Sequence, residues 1–120
     1  MEFGWTAAQQ SGYDECASFA RGELNENLVQ RDQLGEFRAE LWRKCCDFGI
    51  TGWRMPREYG GTAVDVVTVI RKLEGIGYGC RDNALTLALN GQIWTVQEPL
   101  LQFGSEEQKK RYLPRLCSGD

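Results

Sequence analysis

Five cysteines, at positions 16, 45, 46, 80 and 117, are the strongest nucleophiles in this chain, and its 120 residues contain no histidine. A catalytic serine or cysteine of the common type hands its proton to an imidazole, so Ser-His-Asp and Cys-His chemistry is excluded, as are histidine-based zinc sites. Cys45 and Cys46 are adjacent, whereas metal and redox pairs favour a spacer of about two residues. Arg43 and Lys44 precede Cys45 and offer the one electropositive hint of a reactive thiol. Odd in number and widely spread, the five read first as free thiols that fill a core in a reducing, cytoplasmic setting. The residues alone assign no catalytic group and no metal ligand.

Three further patterns carry possible chemistry. Gly75-Ile76-Gly77-Tyr78-Gly79 has the look of a phosphate-cradling loop, but such loops follow a buried strand and open a helix. Here Arg71-Lys72-Leu73-Glu74 comes first, so the glycines read as close helix packing at a helix C-terminus. Glu106-Glu107 could pair as acid and base, yet first-turn carboxylates of a helix explain them more simply. Lys109-Lys110-Arg111 is likewise a solvated face, and Trp42, Trp53 and Trp94 sit in apolar patterns that suggest packing. The remaining feature is Thr86, Asn90, Gln92 and Thr95 interspersed with the small residues Ala88 and Gly91. Buried polar groups need partners, and small residues let another body approach, either a neighbouring helix or a ligand.

Charge narrows the field further. Fourteen basic against 17 acidic residues leave a net charge of −3, with 42% hydrophobic and 26% charged residues. No basic field is present to hold a phosphate backbone, so nucleic acid is not an expected partner. No apolar run approaches the roughly 20 residues of a membrane span. Met1-Glu2-Phe3-Gly4-Trp5 lacks the basic head and apolar stretch of a signal peptide.

The elements that must position these residues are helical. Ala7, Tyr13, Cys16, Ala17, Phe19, Ala20 and Leu24 recur three or four apart over about residues 6–24. Asn25-Glu26-Asn27 interrupts them, and Leu28-Val29 is expected to return to the core. From about Asp32, Leu34, Phe37, Leu41, Cys45 and Phe48 share one face of a second helix, which Gly49 stops. Residues 49–62 hold four glycines and a proline but also Ile50, Trp53, Met55 and Tyr59, which predicts an ordered, packed-down connector. Val66-Val67-Thr68-Val69-Ile70 alone suggests a strand; Leu73 and Ile76 continue it at helical spacing, with Asp65 placed as an N-cap or first-turn acid. A fourth helix, from Asp82 or Asn83 to about Glu98, is apolar around most of its circumference and is expected to be central, with Pro99 ending or kinking it. Ser105-Glu106-Glu107-Gln108 is a capping box for the last helix. In that helix Tyr112, Leu113 and Leu116 face inward and Pro114 loosens the final turn. The expectation is one all-α domain over residues 1–120, a bundle of about five helices in an orthogonal or up-down arrangement.

Leu41-Trp42 through Gly49-Ile50-Thr51-Gly52 and Met55-Pro56-Arg57-Glu58-Tyr59-Gly60-Gly61 resembles the "GLxGLxxPEEYGG" turn of acyl-CoA dehydrogenases. Leu73-Glu74 with Gly79-Cys80 resembles the end of the family's next helix. Phe103-Gly104-Ser105-Glu106-Glu107-Gln108-Lys109-Lys110-Arg111-Tyr112-Leu113-Pro114, with Leu116-Cys117-Ser118-Gly119-Asp120, is similar to its "FGSEEQKxRYLPxLxSG" stretch. The phrases occur in order along essentially the whole chain. Gly79-Cys80-Arg81-Asp82-Asn83 with Asn90 and Trp94 is similar to the branch found in natural-product pathways.

The resemblance implies the helical N-terminal domain of a three-domain flavoenzyme, without its middle β domain and C-terminal helical domain. It also implies FAD held between those two domains and α,β-desaturation of an acyl thioester on coenzyme A or a carrier protein. By the same resemblance the complete enzyme is a homo-oligomer, and the 120 residues alone bind no FAD and are inactive. The domain's long central helix walls the acyl-chain cavity, and carried onto this chain the cavity-facing residues are Ala88, Gly91, Gln92 and Thr95. Packing against a neighbouring helix explains the same residues equally well. A free-standing, non-catalytic helical interaction module is the alternative function, and the missing domains could also be supplied in trans.

Overall fold

The computed structural model describes residues 3–120; Met1 and Glu2, which head the segment read as lacking a signal peptide, lie outside the described residues. The described residues contain no strand, and the all-α class holds. The helices are α1 (Ala7–Glu23), α2 (Leu28–Leu34), α3 (Ala39–Asp47), α4 (Val66–Gly79), α5 (Asn83–Asn90), α6 (Glu98–Phe103) and α7 (Glu106–Ser118). Two 3₁₀ turns, Ile50–Gly52 and Arg57–Tyr59, lie between α3 and α4, and a π-helical segment, Gly91–Gln97, joins α5 to α6. Two compact units form: one from the chain up to Glu36 with Val66–Asn83, the other from Phe37–Asp65 and Ala84–Asp120.

The first unit is built on α1 against α4. Thr6 and Gln9 close a reciprocal cap at the start of α1, the hydroxyl accepting from the Gln9 N–H at 3.1 Å and the Gln9 amide oxygen from the Thr6 N–H at 3.0 Å. Cys16, Ala17 and Ala20 of α1 are buried, and so are Val69, Leu73, Gly75, Ile76 and Gly79 of α4. A methyl group at Gly75 would collide with the Tyr13 carbonyl, and one at Gly79 with the Ala17 carbonyl and, at 2.9 Å, with the Ala20 side chain. The glycines therefore exist to bring two helix backbones into contact, as their place at a helix end implied. The valine run is helical, and the strand alternative does not occur.

Two expectations for this stretch are corrected. Val29 is 72% exposed and does not return to the core. What α2 buries is Arg31, whose Nε donates to the Glu26 carbonyl (2.9 Å), Nη1 to Asp82 (2.6 Å) and Nη2 to the Leu24 carbonyl (3.3 Å). The helix expected from Asp32 to Phe48 is two helices. Gly35 takes a left-handed φ of 62°, its N–H donating to the Asp32 carbonyl and that of Glu36 to the Arg31 carbonyl, which closes α2. Leu34 and Phe37 are consequently exposed, while Leu41 and Cys45 of α3 are buried.

In the second unit, Gly49 at φ 94° ends α3 as expected, and the connector packs down on Ile50, Trp53, Met55 and Tyr59. Met55 and Tyr59 form a core cluster with Leu113 and Cys117 of α7. The capping box of α7 is present, with the Gln108 N–H donating to Ser105 Oγ at 3.2 Å and the Ser105 N–H to Gln108 Oε1 at 2.9 Å. Pro114 does not loosen the end of α7, which continues to Ser118 before Gly119 at φ 80°. The proline removes one hydrogen bond, while buried Leu113 and Cys117 and the Thr51 hydroxyl on the Cys117 carbonyl (2.7 Å) hold the last turn. Tyr112 is half-exposed, since Leu113 and Cys117 already occupy the inward face.

Candidate functional site

The helical run from Asn83 to Phe103 carries all four residues expected to face a ligand. Its buried stripe is Leu85, Leu89, Ile93 and Gln97, each four residues after the last. Four-residue steps drift around a regular α-helix, and the wider π turns over Gly91–Gln97 bring Gln97 back under the stripe. The Glu98 N–H donates to the Ile93 carbonyl, five residues back, immediately before Pro99. Proline donates nothing to the helix and crowds the carbonyl four residues earlier, so a widened register there lets the run continue as α6. The expectation that Pro99 ends the helix is thus corrected: the run changes register before the proline and continues to Phe103. The expectation that the helix is buried all round is corrected: Leu87 is 73% and Val96 46% exposed, and full burial is confined to the stripe.

The polar side chains divide by what they touch. The Gln92 amide donates to the Leu116 carbonyl of α7 at 2.7 Å, across 24 residues of sequence. The Gln97 amide is fully buried and donates to the Thr51 carbonyl at 2.9 Å, leaving its Oε1 without a hydrogen bond. Arg54 Nε meets Glu98 Oε1 at 2.6 Å and ties the connector to α6. Asn90 and Thr95 turn back on their own helix, to the carbonyls of Thr86 and Gly91. Thr95 is exposed, Ala88 and Gly91 are half-buried, and a methyl on Gly91 would meet only Thr95 Oγ1, at 3.9 Å. Gly91 and Thr95 therefore border open space and Ala88 is half-buried, whereas Gln92 has a partner within the fold. Sequence reasoning passed over Gln97, although its place as the fourth step after Leu85, Leu89 and Ile93 marked it as buried.

An apolar groove of about 500 Å³ opens in the same unit, lined by Val96, Leu100, Tyr112, Leu116, Arg115 and Asp120. Asp120 is held below the usual carboxylate range by the Ser118 hydroxyl and then by Arg43. None of these groups makes an acid–base pair. The cysteines do not supply a nucleophile either. None of the five forms a disulfide and all are buried, and burial pushes Cys16 and Cys117 from 9.0 up to about 11. Cys46 and Cys80 are raised for the same reason, and the nearby Arg43 guanidinium does not offset it at Cys46. Among the described residues no group of three carboxylates or thiols is placed to hold a metal ion. What the site offers is a wall of small and apolar residues, half covered by its own fold.

The family model described as "Acyl-CoA dehydrogenase, N-terminal domain" matches residues 6–120. A probable acyl-CoA dehydrogenase, YngJ, of Bacillus subtilis (strain 168) is 33% identical over 119 residues, covering 99% of this chain and 31% of that protein. An L-prolyl-[peptidyl-carrier protein] dehydrogenase of Serratia sp. (strain ATCC 39006) is 28% identical over the same shares. Among solved structures, the prolyl acyl carrier protein oxidase AnaB matches with a TM-score of 0.92 and 42% identity, over 97% of this chain and 31% of that one. PigA with FAD and proline matches with a TM-score of 0.90 and 28% identity, over 99% and 31%. The chain spans just under a third of the length of these relatives.

Proposed function

Because this chain belongs to the acyl-CoA dehydrogenase family, as its N-terminal helical domain, we propose that it forms one wall of the acyl pocket in an FAD-dependent enzyme that desaturates an acyl thioester at its α,β bond. The observation that carries the reading is the match to a prolyl acyl carrier protein oxidase at 42% identity with a TM-score of 0.92. That match favours a small, carrier-bound aminoacyl group such as prolyl over a long acyl-CoA. The complete enzyme is proposed to be a cytoplasmic homo-oligomer; five buried cysteines without a disulfide suit a reducing compartment.

Ala88, Gly91 and Thr95 are proposed to face the acyl group and Gln92 to steady the wall from behind through Leu116. The open space at Gly91 and the exposure of Thr95 support that division. A small cavity with a few polar groups suits a short, functionalised acyl chain. PigA is solved with FAD and proline, and in the complete enzyme proposed here FAD would supply the hydride acceptor. Gly75 and Gly79 are closed against α1 and leave no room at those two positions for a diphosphate. No step is therefore assigned to this chain beyond binding and shaping the acyl group.

The test is to coexpress the chain with a middle and C-terminal domain pair from this family and scan the purified complex for flavin absorbance. Bleaching by a prolyl thioester on a carrier protein, and not by butyryl-CoA, is the expected result. A colourless chain that does not associate with those domains would favour the second reading, an interaction module. The exposed Leu87, Val96 and Phe103 are the observation behind that alternative.

A further inference from the structure

In the first unit, two clefts of about 400 and 500 Å³ adjoin and share Asn25 and Arg81. Arg21, Tyr78 and Gly79 complete the smaller one; Asn27, Leu28, Val29, Gln30 and Gln33 complete the larger. Neither is lined by a carboxylate, in a chain whose net charge is −3. The acid nearest in sequence, Asp82, lines neither cleft and is bonded to buried Arg31 at 2.6 Å. The shared floor is also complete. Asn25 donates to the Gly79 carbonyl and accepts from the Arg81 N–H, each at 2.8 Å, which fixes the backbone from which Arg81 projects. The Arg21 guanidinium lies over the Tyr78 ring, 5.8 Å from its centre, and that ring is steadied in turn by Tyr13 at 6.1 Å.

We propose that the Arg21–Tyr78–Arg81 cleft binds the phosphate group of a small phosphate ester. Guanidinium forks match phosphate oxygens in two-point hydrogen bonds, and an aromatic face beneath one of them reduces the ordering cost on binding. Two cations without a carboxylate in a concave site favour an anion, and the amides of Asn27, Gln30 and Gln33 add neutral donors beside them. The inference is independent of the acyl-wall reading, since none of its residues lies on the α5–α6 run.

Calorimetric titration at low ionic strength tests it, with inorganic pyrophosphate, 4′-phosphopantetheine and a poly-glutamate peptide as separate probes. Saturable binding of a phosphate probe is expected, weakened about tenfold or more by Arg21→Gln and by Arg81→Gln. Arg57→Gln, at an exposed position of the connector, is expected to bind as the unaltered chain does, with helical circular dichroism confirming the fold of every variant. Tighter binding by pyrophosphate would mark a diphosphate ligand and tighter binding by 4′-phosphopantetheine a monoester; either supports the proposal. No phosphate binding, or binding that both arginine variants retain, overturns it. Preference for poly-glutamate over both phosphate probes also overturns it, in favour of an acidic protein partner.

Discussion

Gly75 and Gly79 on α4 and Gly91 on the π-helical segment are all helical glycines among apolar neighbours, yet they do opposite work. At Gly75 and Gly79 the space beyond the glycine is filled by the backbone of α1; at Gly91 the nearest atom a methyl would meet is the Thr95 hydroxyl, 3.9 Å away. The first region is sealed by backbone contact, and its helices cannot tolerate a side chain there. In the second, side-chain amides reach out to the connector and α7 on one side and leave the other side uncovered. A small residue in a helix is thus a statement about closeness only when something is close. The same residue type next to open space leaves that space unfilled.

The largest expected effects come from closing that distinction by mutation. Gly75→Ala and Gly79→Ala should each destabilise the chain by about 3 kcal/mol or prevent folding, since backbone cannot move aside as a side chain can. Gly91→Ala should leave thermal melting unchanged or raise stability by about 0.5–1 kcal/mol through helix propensity. In the assembled enzyme, Gly91→Leu should lower kcat/KM for the acyl thioester while melting stays near that of the unaltered protein. Equal melting losses at all three glycines would erase the contrast between the regions.

Removing one member of the buried Arg31–Asp82 pair tests the first region from another side. Asp82→Ala strands a guanidinium that is 3% exposed and should cost about 3 kcal/mol in denaturant unfolding. In the second region Gln92→Ala removes a single neutral bond to Leu116 and should cost about 1 kcal/mol. It should reduce activity less than Gly91→Leu does; the reverse order would move Gln92 to the acyl side of the wall.

The thiols give a pH test across both regions. Cys16 and Cys117 bind protons more tightly folded than unfolded, with values of about 11 against 9.0. Their contribution to stability is therefore complete below pH 9 and is lost as pH rises toward 11. Chemical denaturation between pH 8 and 11 should show that decline, and replacing both cysteines with alanine should flatten it. The smallest effect is expected at Asp120→Asn. Its ion pair with Arg43, at 3.3 Å, lies in solvent, so melting should not shift measurably.

Much of the fold was legible from local signals. The Ser105–Gln108 box, Gly49, the anchored connector and the helical reading of Val66–Ile76 each depend on a few neighbouring residues, and local chemistry decided them. The failures share a cause. Leu34 and Phe37 carry the apolar spacing of α3, but Gly35 turns the chain before that spacing can be used. Val29 and Leu87 are apolar and exposed because periodicity records which face is greasy, not whether anything lies against it. The Thr6–Gln9 cap was readable by the same rule as Ser105–Gln108 and was overlooked.

The candidate site was legible only as a set of odd residues in one helix. Its sorting required tertiary structure. Gln92 and Thr95 are polar interruptions of the same kind, three residues apart, and only the position of the Leu116 carbonyl separates a structural tie from an exposed hydroxyl. The π turns depend on where the stripe must remain buried on both sides of Pro99, and no short window contains that requirement. By itself the sequence determined the all-α class, the helix caps, the ordered family phrases and the lack of histidine in these 120 residues, because each is set by residue identity and short-range spacing. Which glycine is sealed and which is open, and which polar groups are already bonded, the tertiary structure alone decided, since those properties belong to pairs of atoms far apart in the chain.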